Sequence, residues 1–171
     1  MTLLERTHSL AQKNTHMSKL EKVMGYQNPS VVKRYASENG LSIEEAEIHF
    51  EECKKFLYLC SITDRSLSPS KVLDEIWHTF ILFTKDYANF CSQYLGSFVH
   101  HFPDVEQTPK SKQTNRDAFL YARTLAETTF GSVYEPVWRI TSNKVLTGDC
   151  SDSPNCGGCS DLGGNYHGCK D

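Results

Sequence analysis

Asp74, His78 and the adjacent pair His100-His101 are the residues of the chain's body whose types and spacing point to chemistry. A four-residue interval on a helix sets Asp74 and His78 on successive turns of one face, so both side chains can reach one cation. First-row divalent ions accept imidazole, carboxylate and thiolate in a single shell, with zinc the default ion. His101 or His100 can complete such a site, and Cys91 is a fourth candidate, provided the chain turns back on itself at Gly96. In a variant of this arrangement Asp74 is no ligand but orients the imidazole of His78. The same residues allow catalysis, either by a metal-dependent enzyme or by Cys91 as the nucleophile of a hydrolase or transferase with His78 and Asp74 behind it. No local motif marks that cysteine as activated. The plain alternative is a solvated Asp/His hydrogen bond on a polar helix edge. Neighbouring histidines do not generally point the same way, so one of His100 and His101 is expected to stand apart.

A second constellation lies near the C-terminus, where Cys150, Cys156, Cys159, His167 and Cys169 fall within twenty residues. The Cys156-Gly-Gly-Cys159 knuckle is short enough for both sulfurs to reach one ion, and its glycines permit a tight turn. One more sulfur with His167, or two more sulfurs, would complete a tetrahedral site. Metal binding would then supply the order that a segment with little to bury lacks. The competing readings are a redox-active or disulfide-forming tail and a tail with no specific role. A thioredoxin-like role is not expected, because the Cys-x-x-Cys pair is not set in a βαβ context.

The elements that must position the first constellation read as helices throughout. Residues 3 to 25 carry Leu3, Leu10, Met17 and Met24 at seven-residue steps, a stripe that fits packing on the domain or against a partner helix. Asn28-Pro29 is a helix entry and Asn39-Gly40 its stop. Ser42 and Glu45 form a capping box for a helix whose core stripe is Ile43, Ala46, Phe50, Cys53, Phe56, Leu57 and Cys60. That stripe makes Cys53 and Cys60 buried thiols, and it leaves His49 without a role.

Ser68-Pro69 or Ser70 opens the central helix. Val72, Leu73, Ile76, Trp77, Phe80, Ile81 and Phe83 share its apolar arc, while Asp74, Glu75, His78, Thr79 and Lys85 share the polar one. Thr84 is the expected cap of a further segment with Tyr87, Phe90, Cys91, Tyr94 and Leu95 in its stripe. Residues 104 to 116 read as an exposed polar loop and 117 to 130 as the last helix. Residues 134 to 138 read as a turn with one short helical piece. No strand pattern is present. The expected fold is all-α, a compact single-domain helical bundle over residues 1–146 followed by an irregular Cys/Gly-rich tail over 147–171.

Composition narrows the class of function. A net charge of -3 and a pI near 6.2 argue against a general electrostatic grip on nucleic acid or anionic lipid. No apolar run approaches a membrane span, and the N-terminus lacks the apolar core of a secretory signal. A soluble, cytoplasmic protein is expected, one in which seven cysteines serve packing or metal more readily than disulfides. A protein partner for the helices, with metal or redox chemistry confined to the tail, is the alternative to a metal-binding body.

The series Val72-Leu-Asp-Glu-Ile-Trp-His78, Tyr87, Phe90-Cys91, Tyr94-Leu-Gly96, His100-His101 and Pro103 resembles the glycine-rich domain-containing protein family. That family includes plant members with a domain of unknown function and small bacterial relatives with Gly/Cys-rich tails. The resemblance spans roughly residues 42 to 103 and the character of the tail. Carried over residue by residue, it points at Asp74, Trp77, His78, Tyr87, Cys91, Gly96 and His101, with His100 ambiguous. It implies no particular reaction, and this tail is shorter and less glycine-rich than those of longer members.

Overall fold

The computed structural model describes residues 18–103, 105 and 108–139. Cys150, Cys156, Cys159, His167 and Cys169 lie outside the described residues, as does most of the heptad-spaced stripe at the N-terminus. Among the described residues all regular structure is helical and no strand occurs, as the apolar spacing predicts.

Helix α1 is described over residues 18–25. Helix α2, Pro29–Asn39, starts where Asn28 accepts the Val31 N–H at 3.1 Å, and it ends at Gly40 with φ 64°. Helix α3, Ile43–Cys60, is capped by Ser42, which accepts the Glu45 N–H at 3.1 Å. Glu44 and Glu45 in its first turn complement the positive end of the helix dipole. Helix α4, Lys71–Leu82, is capped by Ser70, whose hydroxyl accepts the Leu73 N–H and donates to the Val137 carbonyl. Helix α5, Thr84–Phe90, follows after Phe83 and has no side-chain cap, so Thr84 is its first residue rather than its cap. A π-helical turn, Cys91–Leu95, continues from it and ends at Gly96 with φ 81°. Only a residue that tolerates the left-handed region turns the chain there without strain.

Helix α6, Pro109–Phe130, begins well before residue 117. The polar run at 109–116 is the exposed side of a helix, not a loop. The sign of this lay in Thr108-Pro109, the same polar-cap-plus-proline entry as Asn28-Pro29. Thr108 accepts the Ser111 N–H at 3.1 Å.

Helix α3 is the centre of the packing, with α2, α4 and α6 around it. Phe56, Leu57, Leu59, Leu73, Ile76, Phe80 and Phe90 are fully buried. Each such side chain is worth about 1.5–3 kcal/mol in removal from water. Cys53 is buried, as the stripe predicts, whereas Cys60 at its far end is only half-buried and Ile43 at its head is 45% exposed. Tyr26 fills the junction of several elements, with Phe50, Phe80, Phe90 and Tyr94 at ring-centroid separations of 4.8–6.3 Å.

Helix α3 also buries charge that its apolar stripe does not announce. Lys54 is fully buried, and its ammonium donates to the carbonyls of Met24 at 2.7 Å and Tyr26 at 2.6 Å. Glu51 pairs with it at 2.7 Å. Met24 and Tyr26 lie at the C-terminal end of α1, where free carbonyls carry the negative end of the dipole. Glu52 is buried between Lys55 and the Trp138 indole N–H, each at 2.7 Å.

His49, to which periodicity assigns no role, is buried beside the Tyr35 hydroxyl, 3.1 Å from Nδ1. Burial lowers its pKa below the ordinary histidine value, with the Glu45 charge opposing. The unfolded chain takes up that proton near pH 6.5, before the folded one does. The stability this neutral imidazole contributes is therefore complete above about pH 6.5 and is lost as pH falls toward the lower folded pKa. In His49→Gln, which keeps an acceptor for Tyr35, the urea midpoint should fall less between about pH 7.5 and 5.5 than in the parent. An equal fall in both proteins would show that His49 does not titrate in this window.

Candidate metal centre

Two elements far apart in the sequence build the site. Helix α4 carries Asp74 and His78 one turn apart, and the segment after Gly96 returns across it to deliver His101. The imidazole Nε2 of His101 lies 2.7 Å from Asp74 Oδ1. His78 Nδ1 lies 2.8 Å from the Asp74 carbonyl and 3.3 Å from Asp74 Oδ2. The two imidazoles face one another with centroids 4.4 Å apart, and the Trp77 ring stands edge-on to His101 at 4.6 Å. One ligand atom from each of Asp74, His78 and His101 falls within 4.8 Å of the other two.

Burial gives these contacts weight. Asp74 was expected on the polar arc of α4, yet it is only 8% exposed, because the return segment covers that edge. Desolvation by burial would raise its pKa. The hydrogen bonds from His101 and His78 and their positive charge more than offset this, and the carboxyl is held below its usual value. His78 moves the opposite way. Its hydrogen bond to Asp74 raises its pKa, with burial opposing. Neighbouring Glu75 is shifted upward by burial, with Lys71 opposing at 3.7 Å.

The hydrogen-bond partners fix one tautomer. A backbone carbonyl only accepts, so His78 carries a proton on Nδ1 whenever it bonds to the Asp74 carbonyl. The neutral ring then presents the Nε2 lone pair. An imidazole anchored at one nitrogen and free at the other is the usual form of a metal-ligating histidine. His101 meets the carboxylate through Nε2, so a cation shared by these two residues would occupy the place of that proton. In a tetrahedral shell, metal–ligand bonds of about 2.1 Å set donors about 3.4 Å apart, so separations of up to 4.8 Å must close by as much as about 1.4 Å for the three residues to share one ion.

Of the other residues singled out in the body, neither Cys91 nor His100 joins this group. Cys91 is fully buried at the start of the π-helical turn, within hydrogen-bonding reach of the Tyr87 hydroxyl and the Val99 backbone. Burial raises its pKa, the reverse of what activates a nucleophilic thiol. His100 points to the exposed side of the return segment, between the rings of Phe98 at 4.8 Å and Phe102 at 6.0 Å. Of the two histidines, His101 turns inward, as alternation along an extended segment requires.

Periodicity did not reveal the link between Trp77 and Tyr87. The indole N–H of Trp77 donates to the Tyr87 hydroxyl at 3.0 Å, and that hydroxyl donates to the Val99 carbonyl at 2.6 Å. Both side chains were assigned to apolar stripes, which is correct for their rings. The available signal was chemical, since a buried Trp or Tyr needs a partner for its polar atom.

No curated protein and no solved structure matches the chain. The model of an uncharacterised family, UCP032817-like, matches residues 18–125, a span that includes Asp74, His78 and His101. With well over half of its length matched, the chain belongs to the UCP032817-like family.

Proposed function

We propose that this chain is a small helical metal-binding protein whose body holds one divalent ion, zinc by default, through Asp74, His78 and His101. The observation that carries the reading is a buried carboxylate clasped by two imidazoles, one of them 27 residues away in sequence. Three protein donors of this kind leave coordination positions for water or a substrate, the pattern of catalytic rather than purely structural zinc sites. A bound ion there would act as a Lewis acid and lower the pKa of a bound water. The tail residues Cys150, Cys156, Cys159, His167 and Cys169 are a separate candidate site within the same proposal.

The test uses the full chain with the tail thiols silenced as Cys150→Ser, Cys156→Ser, Cys159→Ser and Cys169→Ser. Zinc titrated against a chromophoric chelator should show one retained site, and adding His78→Ala should weaken it by more than about 100-fold, beyond the 10- to 100-fold typical of losing an outer-shell partner. If silencing the tail removes all zinc, the ion belongs to the tail. The Asp74–His101 contact is then only a polar latch that holds the return segment to α4.

A further inference from the structure

We infer that Tyr87 is the positioning residue of this site, the group that delivers His101 to Asp74. The inference rests on the metal-site reading above for its consequence, and on the fold alone for its geometry. His101 belongs to a segment without regular structure of its own, running from Gly96 to the described stretch around Pro103. Phe98, His100 and Phe102 on one side of that segment are exposed, and there the Phe98 ring meets the ring of Tyr87 at 5.3 Å. The inward side is held two residues before His101, where the Tyr87 hydroxyl donates to the Val99 carbonyl at 2.6 Å and Cys91 lies within hydrogen-bonding reach of the same residue's backbone.

In an extended segment Val99 and His101 share a side, so fixing the carbonyl of one sets the reach of the other. Tyr87 is itself fixed. Its ring packs edge-on against Phe80 of α4, and its oxygen accepts the indole N–H of Trp77 at 3.0 Å. Trp77 immediately precedes His78 and lies edge-on to His101. One hydroxyl thus ties the helix bearing Asp74 and His78 to the loop bearing His101. Its removal leaves both the indole N–H and the Val99 carbonyl without this partner, while the phenyl ring that fills the core stays.

The decisive variant is Tyr87→Phe, and Tyr35→Phe is its control. Tyr35 is equally buried and its hydroxyl also meets a histidine, but in the unrelated contact with His49. Both variants should lose similar stability to urea. With the tail thiols silenced, Tyr87→Phe should weaken zinc binding by about 10- to 100-fold, as expected for an outer-shell residue. Tyr35→Phe should stay within twofold of the parent, by about the margin of a purely structural loss. The Tyr87→Phe effect should also vanish in a His101→Ala background, where there is no imidazole left to position. Zinc affinity in Tyr87→Phe equal to that of Tyr35→Phe overturns the inference.

If the parent chain binds no zinc, the metal reading fails and the positioning role is decided in metal-free protein. There, nitrogen NMR of His101 should report the Nε2 hydrogen bond to Asp74 in the parent and in Tyr35→Phe, but not in Tyr87→Phe. Persistence of that bond without the hydroxyl likewise overturns it.

Discussion

Asp74→Ala is expected to remove more zinc affinity than any other single change in the body, a loss greater than about 100-fold, because a donor is lost together with the group that holds the other two. The carboxylate accepts from His101 at 2.7 Å and lies 3.3 Å from His78 Nδ1, so both rings lose their common partner at once. The metal-free protein should also lose stability. Hydrogen bonds to a charged group contribute about 1.5–3 kcal/mol, with the lower part of that range appropriate because the His78 side chain is 34% exposed. Asp74→Asn separates charge from shape. It preserves one carbonyl acceptor for His101 and should recover most of the stability but little of the affinity, since a neutral amide is a poor ligand for a divalent ion. Chelator competition and urea unfolding on the same samples check both expectations. Undiminished zinc affinity in Asp74→Ala would remove this carboxylate from the ligand set.

Trp138→Ala is the expected worst case for stability, at about 3–5 kcal/mol for deleting a buried aromatic. Trp138 has no exposed surface, and its N–H holds the buried Glu52 carboxylate. Its ring packs on Phe56 at 6.3 Å, and Phe56 packs on Trp77 at 5.6 Å. The cavity would therefore open behind the wall that supports His101. Adjacent anchors add to the cost, since the Val137 carbonyl accepts from Ser70, the cap of α4. Arg123 donates to the Trp138 carbonyl and to Glu135 as well. Guanidinium unfolding should show the lowered midpoint with an unchanged slope. A midpoint near that of the parent would mean that the segment after α6 is dispensable to the core.

Much of this architecture can be read from residue order alone. The caps at Asn28, Ser42 and Ser70 and the stop at Gly40 follow from local chemistry that acts over four residues. So does the meeting of Asp74 with His78, because helical spacing fixes it. The choice of His101 over His100 needed the direction of the return segment, which depends on Gly96, on the π-helical turn before it and on Tyr87. The burial of Asp74 depends on what covers a helix edge, and periodicity within α4 carries no information about that. His49, Glu52 and Lys54 were hidden for the same reason. Their partners come from Tyr35, Trp138 and the end of α1, at separations of 14, 86 and 28–30 residues. The early start of α6 is a different kind of miss, a local signal at Thr108-Pro109 outweighed by the polarity of the residues after it.

Lys54 has a consequence for how the domain comes apart. Two of the oxygens that surround its ammonium are backbone atoms at the end of α1 and just past it. Peeling that first helix away would therefore take two acceptors from the ammonium and leave it to Glu51 on its own helix. The end of α1 thus acts beside Glu51 as a second counterion, one made of main chain, and its loss weakens the hold on the centre of the packing.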